Sequence, residues 1–423
     1  MAKILVNNNG PLRGEVEISG AKNAVLPLLA ATLLTQEKCT LEGVPNLVDV
    51  NVMKEMLKNF GAKIKSVGPS TLEVTTERIT SVEADPEMVQ EMRASVFTMG
   101  PLLARAGKVI MPMPGGCTIG KRPIDLHLKG LKAMGANIEY NTDYVTLTTG
   151  KDGLTGDVIY LDFPSVGATE NIMMAATLAK GTTIIENAAK EPEIIDLANL
   201  LNMMGAKIKY AGSDLIRIEG VERLTGCTHA VIPDRIEAGT FMLAAAITRG
   251  KILIKNALPG HVRPIIAKLK ECGVKIDILQ GGILVDATAG NLVATDIKTL
   301  PYPGFPTDIQ SPFMAFLTTV SGKSIVMETV FENRFMHVVE LNRMGADIET
   351  NNREAIIPGG KVLHGAKVRA TDLRAGAAMV LAGLAATGTT EISEIYHIER
   401  GYENFVGKFK ALGADIMKIK EEY

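Results

Sequence analysis

An internal repeat is the feature that most constrains the fold of this chain. A glycine followed by Ala or Val and a short β-forming run occurs at Gly61, Gly135, Gly205, Gly273, Gly345 and Gly413. Successive copies are 74, 70, 68, 72 and 68 residues apart. A nearly constant period is the sequence signature of repeated structural units, so the chain is expected to contain six of them.

Every copy has the same predicted order of elements: a helix of small residues, a strand, an amphipathic helix that ends at the glycine, and two strands. In the third copy, apolar residues recur at i, i+3, i+4 and i+7 from Ile194, between Pro192 and Gly205. The small-residue helices are predicted over 24–34, 95–106, 171–179, 239–248, 310–320 and 376–386. Because these helices are apolar on nearly all sides, we expect them to be buried. The pattern predicts an α/β fold.

The sixth copy lacks the last strand of the others, since it ends at residues 416–419. The N-terminal segment, up to about residue 21, resembles the missing part of a repeat. We therefore predict two domains of three repeats each, one over 22–232 and one formed by 1–21 with 233–423. A chain of 423 residues fits this division. Two connections between the domains would allow a hinge.

Composition and charge exclude several classes of protein. The chain has no Trp, 4% aromatic residues and a net charge of −2, which argues against a nucleic-acid partner. The N-terminus lacks the apolar core of a signal peptide, and the run over 24–34 is too short to cross a bilayer. Neither the four Cys nor the six His show metal-ligand spacing. We expect a cytoplasmic protein with no membrane association, no metal and no obligate protein partner.

The most unusual loop covers residues 112–122 of the first predicted domain. It lies between a predicted strand at 109–111 and a predicted helix at 124–131. Cys117 is in this loop, close to the adjacent cations Lys121 and Arg122. Such a loop favours anion binding beside a thiol, because nearby cations favour the thiolate. The loop also matches most of a phosphate-binding P-loop, but Arg122 stands where that motif needs Ser or Thr, so a P-loop is disfavoured.

Polar residues recur where the six small-residue helices are expected to begin. They are Lys22-Asn23, Arg93, Ser165-Val166-Gly167, Asp234-Arg235, Thr307-Asp308 and Asp372-Leu373-Arg374. Helix N-termini suit anionic ligands, and a cation placed there opposes the helix dipole unless an anion is present. Lys22 and Arg93 are therefore candidate anion-binding residues, with solvated surface charge as the alternative. For the aspartates the alternative is an ordinary N-cap, which spacing alone does not distinguish from a general base.

A second class of loop connects a strand to an outer helix and carries Arg122, Arg334 and Arg400 on related edges of the repeats. These arginines are candidates for binding an anion. The alternative is a local salt bridge at a helix start, for example with Glu332 or Glu399.

Seven segments resemble those of the enolpyruvyl transferases, in particular the members that act on a nucleotide sugar. They are 19–24, 114–120, 233–237, 305–308, 331–337, 370–374 and 396–398. The resemblance extends over essentially the whole chain and implies the inside-out α/β barrel of that family, built from six α/β units in two domains. The cysteine loop favours a nucleotide sugar over shikimate-type substrates.

The resemblance implies transfer of the enolpyruvyl group of phosphoenolpyruvate to the 3-hydroxyl of UDP-N-acetylglucosamine, with release of phosphate. The mechanism would be addition followed by elimination, without a cofactor, at the first committed step of peptidoglycan synthesis. Two alternatives are a shikimate-type enolpyruvyl transferase and a repeat scaffold without catalytic activity.

The resemblance also assigns residue roles. Cys117 would be the general acid and could carry a pyruvate adduct, and Asp308 and Lys22 would be catalytic. The residues implied for phosphoenolpyruvate are Lys22, Asn23, Arg122 and Arg400. Those implied for the nucleotide sugar are Asn23, Arg93, Arg122, Pro123, Ile124, Asp125, Leu126, Ser165, Val166, Gly167, Asp308 and Val330. Supporting positions are Asp234, Arg235, Glu332, Arg334, Asp372 and Arg374. One position departs from the family pattern: Phe163 stands where some members have Lys, so the resemblance implies no cation contact there.

Overall fold

The computed structural model describes residues 2–113 and 124–420. These residues divide into two compact units. The terminal unit contains residues 2–19 and 233–420, and the internal unit contains residues 20–113 and 124–232. The chain passes from one unit to the other at 19–20 and at 232–233. Each unit has its own hydrophobic core.

The strands account for much of both units. Strands β1 to β23 are, in chain order, Ala2–Asn7, Arg13–Glu17, Cys39–Glu42, Lys63–Ser66, Leu72–Thr75, Lys108–Pro112, Asn137–Tyr140, Tyr144–Thr148, Val158–Tyr160, Thr182–Glu186, Lys207–Lys209, Leu215–Glu219, Thr228–Ala230, Lys251–Lys255, Lys275–Leu279, Gly282–Asp286, Ile297–Lys298, Lys323–Met327, Glu349–Asn351, Glu354–Pro358, Lys367–Arg369, Thr390–Ser393 and Asp415–Lys420.

The helices alternate with these strands along the chain. Helices α1 to α14 are Lys22–Ala31, Val48–Asn59, Pro86–Glu91, Met99–Ala106, Asp125–Ala133, Val166–Ala176, Pro192–Met203, Arg235–Ile247, Arg263–Glu271, Gln310–Leu317, His337–Arg343, Leu373–Ala385, Tyr396–Glu399 and Phe405–Ala411. Short 3-10 helices cover Thr32–Leu34, Arg93–Thr98, Pro259–Val262 and Thr307–Ile309. The fold is mixed α/β.

The same sheet recurs in both units. In the third repeat, β10 pairs parallel with β9 and antiparallel with β12, which pairs antiparallel with β11. Five of the six sheets in the described part of the chain have this four-stranded pattern. The sheet of the second repeat, in the order β6-β8-β7, has a parallel bridge between Glu83 and Ile110 in place of the fourth strand.

The two N-terminal strands lie in two different sheets of the terminal unit. Strand β1 lies between β22 and β23 and is antiparallel to both, with Ile4 opposite Ile392 on one side and Lys418 on the other. Strand β2 pairs parallel with β14 of the fourth repeat. The N-terminus therefore provides a central strand to the sheet in which the chain ends.

Helices α1, α6, α8, α10 and α12 are buried along almost their whole length, as expected for helices that are apolar on all sides. Four of them begin earlier than the small-residue runs predicted: α1 at Lys22, α6 at Val166, α8 at Arg235 and α12 at Leu373. Their first turns contain polar residues, so an apolar run identifies the middle of each helix and misses its start. In the described part of the chain, no helix is long and apolar enough to span a membrane.

Candidate functional site

Lys22 is the first residue of α1, and its charge is paired inside the internal unit. Its Nζ lies 2.8 Å from Oδ2 of Asp49, in the first turn of α2, and the two side chains are only 10% and 4% exposed. A lysine at a helix N-terminus opposes the dipole, and Asp49 provides the compensating negative charge. Asp49 is a partner of Lys22 that the sequence did not reveal, because it is 27 positions away and lies in another helix.

Asn23 follows Lys22 in α1 and is partly buried, so the two residues share one helix start. Arg93 begins the 3-10 helix that leads into α4. The backbone of both segments thus begins a helix where the aligned repeats predicted one.

The segment Ser165-Val166-Gly167 forms the start of α6. Ser165 is the N-cap, and its Oγ accepts a hydrogen bond from the backbone N–H of Ala168 at 3.3 Å. A Cβ atom placed on Gly167 would lie 3.2 Å from Cε1 of His127. The backbone at Gly167 therefore packs directly against the imidazole.

His127 is buried, and its hydrogen bonds determine its tautomer. Oδ1 of Asn171 accepts from the N–H of Gly100 at 2.5 Å, so Nδ2 of Asn171 is a donor. That amide donates to the Val96 carbonyl at 2.7 Å and lies 3.1 Å from Nδ1 of His127, which must accept. Burial lowers the pKa of His127 to about 4. The imidazole is therefore neutral at pH 7, with its proton on Nε2.

Helix α5 begins close to this cluster. Ile124 is its N-cap, and Asp125 and Leu126 are in its first turn, with Asp125 exposed and Leu126 partly buried. Cys117, Arg122 and Pro123 lie outside the described residues. The predicted site in the internal unit is thus described at the starts of α1, α5 and α6.

In the terminal unit, Asp308 lies in a 3-10 helix and binds two arginines. Arg334 Nη2 donates to Oδ1 at 2.7 Å, while Nη2 and Nε of Arg374 lie 3.0 and 3.2 Å from Oδ2. The N-cap of this short helix is Pro306, so Asp308 is not a cap. With 23% of the side chain exposed, the carboxylate is held at a fixed position and remains accessible.

Arg374 is among the largest fully buried side chains, at 1% exposure. Burial alone would lower its pKa, but Tyr402, Asp308 and Asp234 together hold the pKa of Arg374 above its usual value. The guanidinium also lies 5.2 Å from the centre of the Tyr402 ring. The hydroxyl of Tyr402 forms a 2.9 Å hydrogen bond with Thr240 on α8. Arg374 therefore remains charged and connects Asp308 to the core of its unit.

Asp234 and Asp372 are N-caps, as the alternative interpretation predicted. Asp234 accepts from the N–H groups of Ile236 and Glu237 at the start of α8. Asp372 accepts from those of Arg374 and Ala375 at the start of α12. The structure thus distinguishes these aspartates from Asp308, whose carboxylate binds side chains.

The remaining candidates of the terminal unit occupy several positions. Arg235 lies 5.8 Å from the ring of Tyr302. Arg400 ends α13, and burial together with the nearby charge of Arg400 lowers the pKa of His397. Glu332 is exposed, with its carboxylate 3.7 Å from Arg353, so it does not pair with Arg334.

Val330 follows β18 by three residues, and its N–H donates to Glu328 at 2.8 Å. Glu328 also contacts the Asp308 segment through Thr307. Glu328 belongs to no local motif, so the sequence did not reveal it. In the internal unit, Phe163 is exposed. Among the residues that the structure describes, no group of three or more His, Cys, Asp or Glu could hold a metal ion.

Comparisons with known proteins identify the family. Residues 6–409 match the family model of EPSP synthase (3-phosphoshikimate 1-carboxyvinyltransferase). The chain belongs to the EPSP synthase family of enolpyruvyl transferases. UDP-N-acetylglucosamine 1-carboxyvinyltransferase 1 of Caldanaerobacter subterraneus subsp. tengcongensis is 58% identical, covering 98% of this chain and 99% of that protein. UDP-N-acetylglucosamine 1-carboxyvinyltransferase of Finegoldia magna is 54% identical over the full length of both chains.

Solved structures of the family show the same fold. The enolpyruvyl transferase NikO from Streptomyces tendae has a TM-score of 0.89 at 24% identity, covering 99% of this chain and 98% of that one. EPSP synthase from Acinetobacter baumannii has a TM-score of 0.78 at 18% identity, covering 99% and 100%. At these identities the likeness concerns the fold, so the substrate must be argued from the close relatives and the side chains.

Proposed function

We propose that this member of the family transfers the enolpyruvyl group of phosphoenolpyruvate to the 3-hydroxyl of UDP-N-acetylglucosamine and releases phosphate. The observation that carries the proposal is the 54–58% identity, over 98–100% of the chain, to proteins named for this activity. The reaction is the first committed step of peptidoglycan synthesis. Its substrates are small molecules, and we propose that it takes place in the cytoplasm without a protein partner.

The reaction needs groups that hold anions and move protons. In the addition step a proton converts the methylene carbon of phosphoenolpyruvate to a methyl group, while the sugar hydroxyl loses its proton and its oxygen bonds to C2. Elimination then removes a proton from that methyl group and breaks the bond from C2 to the phosphate oxygen, which restores the double bond and releases phosphate. We assign the first proton to Cys117, which can also form a pyruvate adduct. Cations that face developing negative charge stabilise such transition states. Lys22, Arg122 and Arg400 have this role for the phosphate and carboxylate, with Asn23 beside them.

Asp308 is assigned to the 3-hydroxyl. Support for this role comes from its accessible carboxylate, which Arg334 and Arg374 fix from two sides. An ionised carboxylate accepts hydrogen bonds, so it orients the hydroxyl for attack. The nucleotide-sugar positions are assigned to Arg93, Pro123 to Leu126, the Ser165–Gly167 segment and Val330. Asp234, Arg235, Glu332, Arg334, Asp372 and Arg374 are supporting residues in this proposal.

The finer architecture is part of the same proposal. We infer that the six repeats form two three-repeat domains of the inside-out barrel type, 22–232 and 1–21 with 233–423. The mixed α/β fold of NikO and EPSP synthase supports this inference. The regular recurrence of one sheet pattern, three sheets in each unit, supports it further.

The test is phosphate release from phosphoenolpyruvate, measured with and without UDP-N-acetylglucosamine. We expect release that depends on the nucleotide sugar. Release with shikimate 3-phosphate instead would favour the shikimate-type reaction, which the description of the family model names. No release above background with either acceptor would leave the scaffold alternative.

The assignment of Cys117 has a separate test. Fosfomycin, an epoxide that reacts with thiols and resembles phosphoenolpyruvate, should label Cys117 and stop phosphate release. Peptide mass spectrometry identifies the labelled thiol. Labelling of Cys39, Cys227 or Cys272 in its place would show that the assignment is wrong.

A further inference from the structure

Glu328 occupies an unusual position in the terminal unit. It directly follows β18 and is only 1% exposed. Its carboxylate contacts donors from two different segments of the chain besides its own loop. No resemblance assigns a role to it.

Four donors converge on this carboxylate. Oε1 lies 2.9 Å from Thr299 Oγ1 and 2.8 and 3.2 Å from the N–H groups of Val330 and Phe331, and Oε2 lies 2.8 Å from Thr307 Oγ1. The two backbone groups can only donate. The Thr299 hydroxyl accepts from the N–H of Thr329 at 2.9 Å, so its own proton is free for Glu328.

The hydroxyl of Thr307 has a fixed direction for a similar reason. Arg334 Nη1 donates to it at 2.8 Å, so the Thr307 proton points to Glu328. All four contacts therefore require an acceptor, which an ionised carboxylate provides with both oxygens. Four charge-assisted hydrogen bonds compensate the burial of this charge.

These contacts connect Glu328 to Asp308 in two ways. The neighbouring residue of Thr307 is Asp308 itself, and the arginine that binds Thr307 also binds Asp308 Oδ1 at 2.7 Å. Through Val330 and Phe331 the same carboxylate also shapes the loop that follows β18. One buried charge thus fixes the two segments that carry Asp308 and Val330.

We propose that Glu328 is a positioning residue that sets the Asp308 carboxylate and the Val330 loop for the nucleotide sugar. This inference rests on the transferase function proposed above. Glu328 acts through Thr307 and Arg334 and does not touch the substrate. Because a displacement of about 1 Å at a reacting group can lower a rate about 100-fold, loss of this support should affect turnover as well as stability.

The decisive variant is Glu328→Gln, which keeps the size of the side chain but replaces one acceptor oxygen with an NH2 group. That NH2 group is a donor, so it would face one of the four donors without forming a hydrogen bond. We expect kcat to fall about 10- to 100-fold and KM for UDP-N-acetylglucosamine to rise, with KM for phosphoenolpyruvate nearly unchanged. Thr307→Val, which removes the connecting hydroxyl, should reproduce the fall in kcat. Thr307→Ser keeps the hydroxyl and should therefore retain most of the wild-type kcat.

Glu340→Gln is the matched control. Glu340 is also a glutamate of the terminal unit with 1% exposure, but its partners are Arg343 and Arg369. Thermal unfolding of each variant separates a loss of stability from a loss of positioning. We expect both Gln variants to lower Tm by similar amounts and only Glu328→Gln to lower kcat.

The proposal would be overturned if Glu328→Gln, assayed at a temperature below its Tm, had the kcat of the wild type. An equal fall in kcat in Glu328→Gln and Glu340→Gln would overturn it as well. An equal effect of Thr307→Val and Thr307→Ser would also contradict it. Failure of the proposed function would look different, because the wild-type protein would then release no phosphate in response to UDP-N-acetylglucosamine.

Discussion

A single buried imidazole makes part of the stability of the internal unit depend on pH. His127 has a pKa of about 4 against 6.5 for an ordinary histidine, because burial disfavours its charged form. Between these values the unfolded chain binds a proton that the folded chain does not. Stability is therefore lost as the pH falls from 6.5 towards 4 and is regained as the pH rises.

We predict that acidification from pH 7 to pH 5 lowers the unfolding free energy by about 2 kcal/mol through His127 alone. His127→Gln keeps an acceptor for Asn171 but cannot be protonated, so it should reduce the pH dependence of the unfolding free energy by that amount. Urea unfolding at the two pH values measures the difference. Equal pH dependence in wild type and His127→Gln would contradict the prediction.

The Lys22–Asp49 pair leads to a second prediction at this scale. Asp49→Ala removes a charge partner from a lysine whose side chain is 10% exposed, which should lower the unfolding free energy by about 3 kcal/mol. Replacing both residues with apolar ones, Lys22→Met with Asp49→Leu, should restore most of the loss.

An exposed ion pair of the same unit provides the control for Asp49→Ala. Lys63 and Glu77 lie 3.1 Å apart with side chains 73% and 65% exposed. Glu77→Ala should change stability by less than about 1 kcal/mol. A similar loss in Asp49→Ala and Glu77→Ala would show that the buried pair contributes no more than a surface pair.

Residue identity alone predicted the helix caps at Asp234 and Asp372, because short polar residues before helical runs usually cap them. The environment of Asp308 was not predictable, because its partner Arg374 is 66 positions away and joins it only through the packing of α10 and α12. Asp49 and Glu328 could not be predicted from the sequence for the same reason, since neither belongs to a motif.

At the level of elements, α5 is positioned by close contact with α6. A Cβ atom on Gly130 would lie 2.2 Å from Cδ1 and 2.5 Å from Cγ1 of Ile172. Gly130 therefore lets α5 approach α6, and α5 carries Asp125 and Leu126 in its first turn. The distance between these two helices sets the position of those candidate contacts.

We predict that Gly130→Ala lowers the unfolding free energy by about 1–3 kcal/mol and raises KM for UDP-N-acetylglucosamine. Adding Ile172→Ala removes the clash, so the double variant should lose at least about 1 kcal/mol less than the sum of the single losses. Urea unfolding and steady-state kinetics measure both effects. Gly150→Ala, where no atom lies within 4 Å, is the control and should be nearly neutral. Additive losses in the double variant would mean that the two residues do not clash.

The repeat predicted the order of elements and the burial of five of the six small-residue helices, because both depend on local periodicity. The helix of the second copy, α4, is buried only over Met99–Leu103. The repeat did not predict that β1 and β2 lie in two separate sheets. Ile4 of β1 pairs with Lys418, 414 residues away, and Arg13 of β2 pairs with Lys251, 238 residues away, and pairing over such separations has no local sequence signal. Hydrogen-bond partners between strands follow from packing of the whole unit.

At the scale of the molecule, the two separate hydrophobic cores make the units separable. Both described parts of the internal unit, 20–113 and 124–232, lie within one stretch of chain, 20–232, so we predict that this stretch folds when expressed alone. The stretch 233–423 should not fold alone, because its last sheet lacks β1 between β22 and β23 and its first sheet lacks β2.

A circular permutant tests this prediction directly. Ala2 pairs with Lys420 in antiparallel strands, so a short glycine linker between the chain ends can form a hairpin. The permutant that begins at Pro233 and ends at Ser19 contains every strand of the terminal unit. It should show cooperative thermal unfolding by circular dichroism, and 233–423 without residues 1–19 should not. Cooperative unfolding of 233–423 alone would mean that the N-terminal strands are dispensable, and failure of the permutant would mean that the terminal unit needs the internal one to fold.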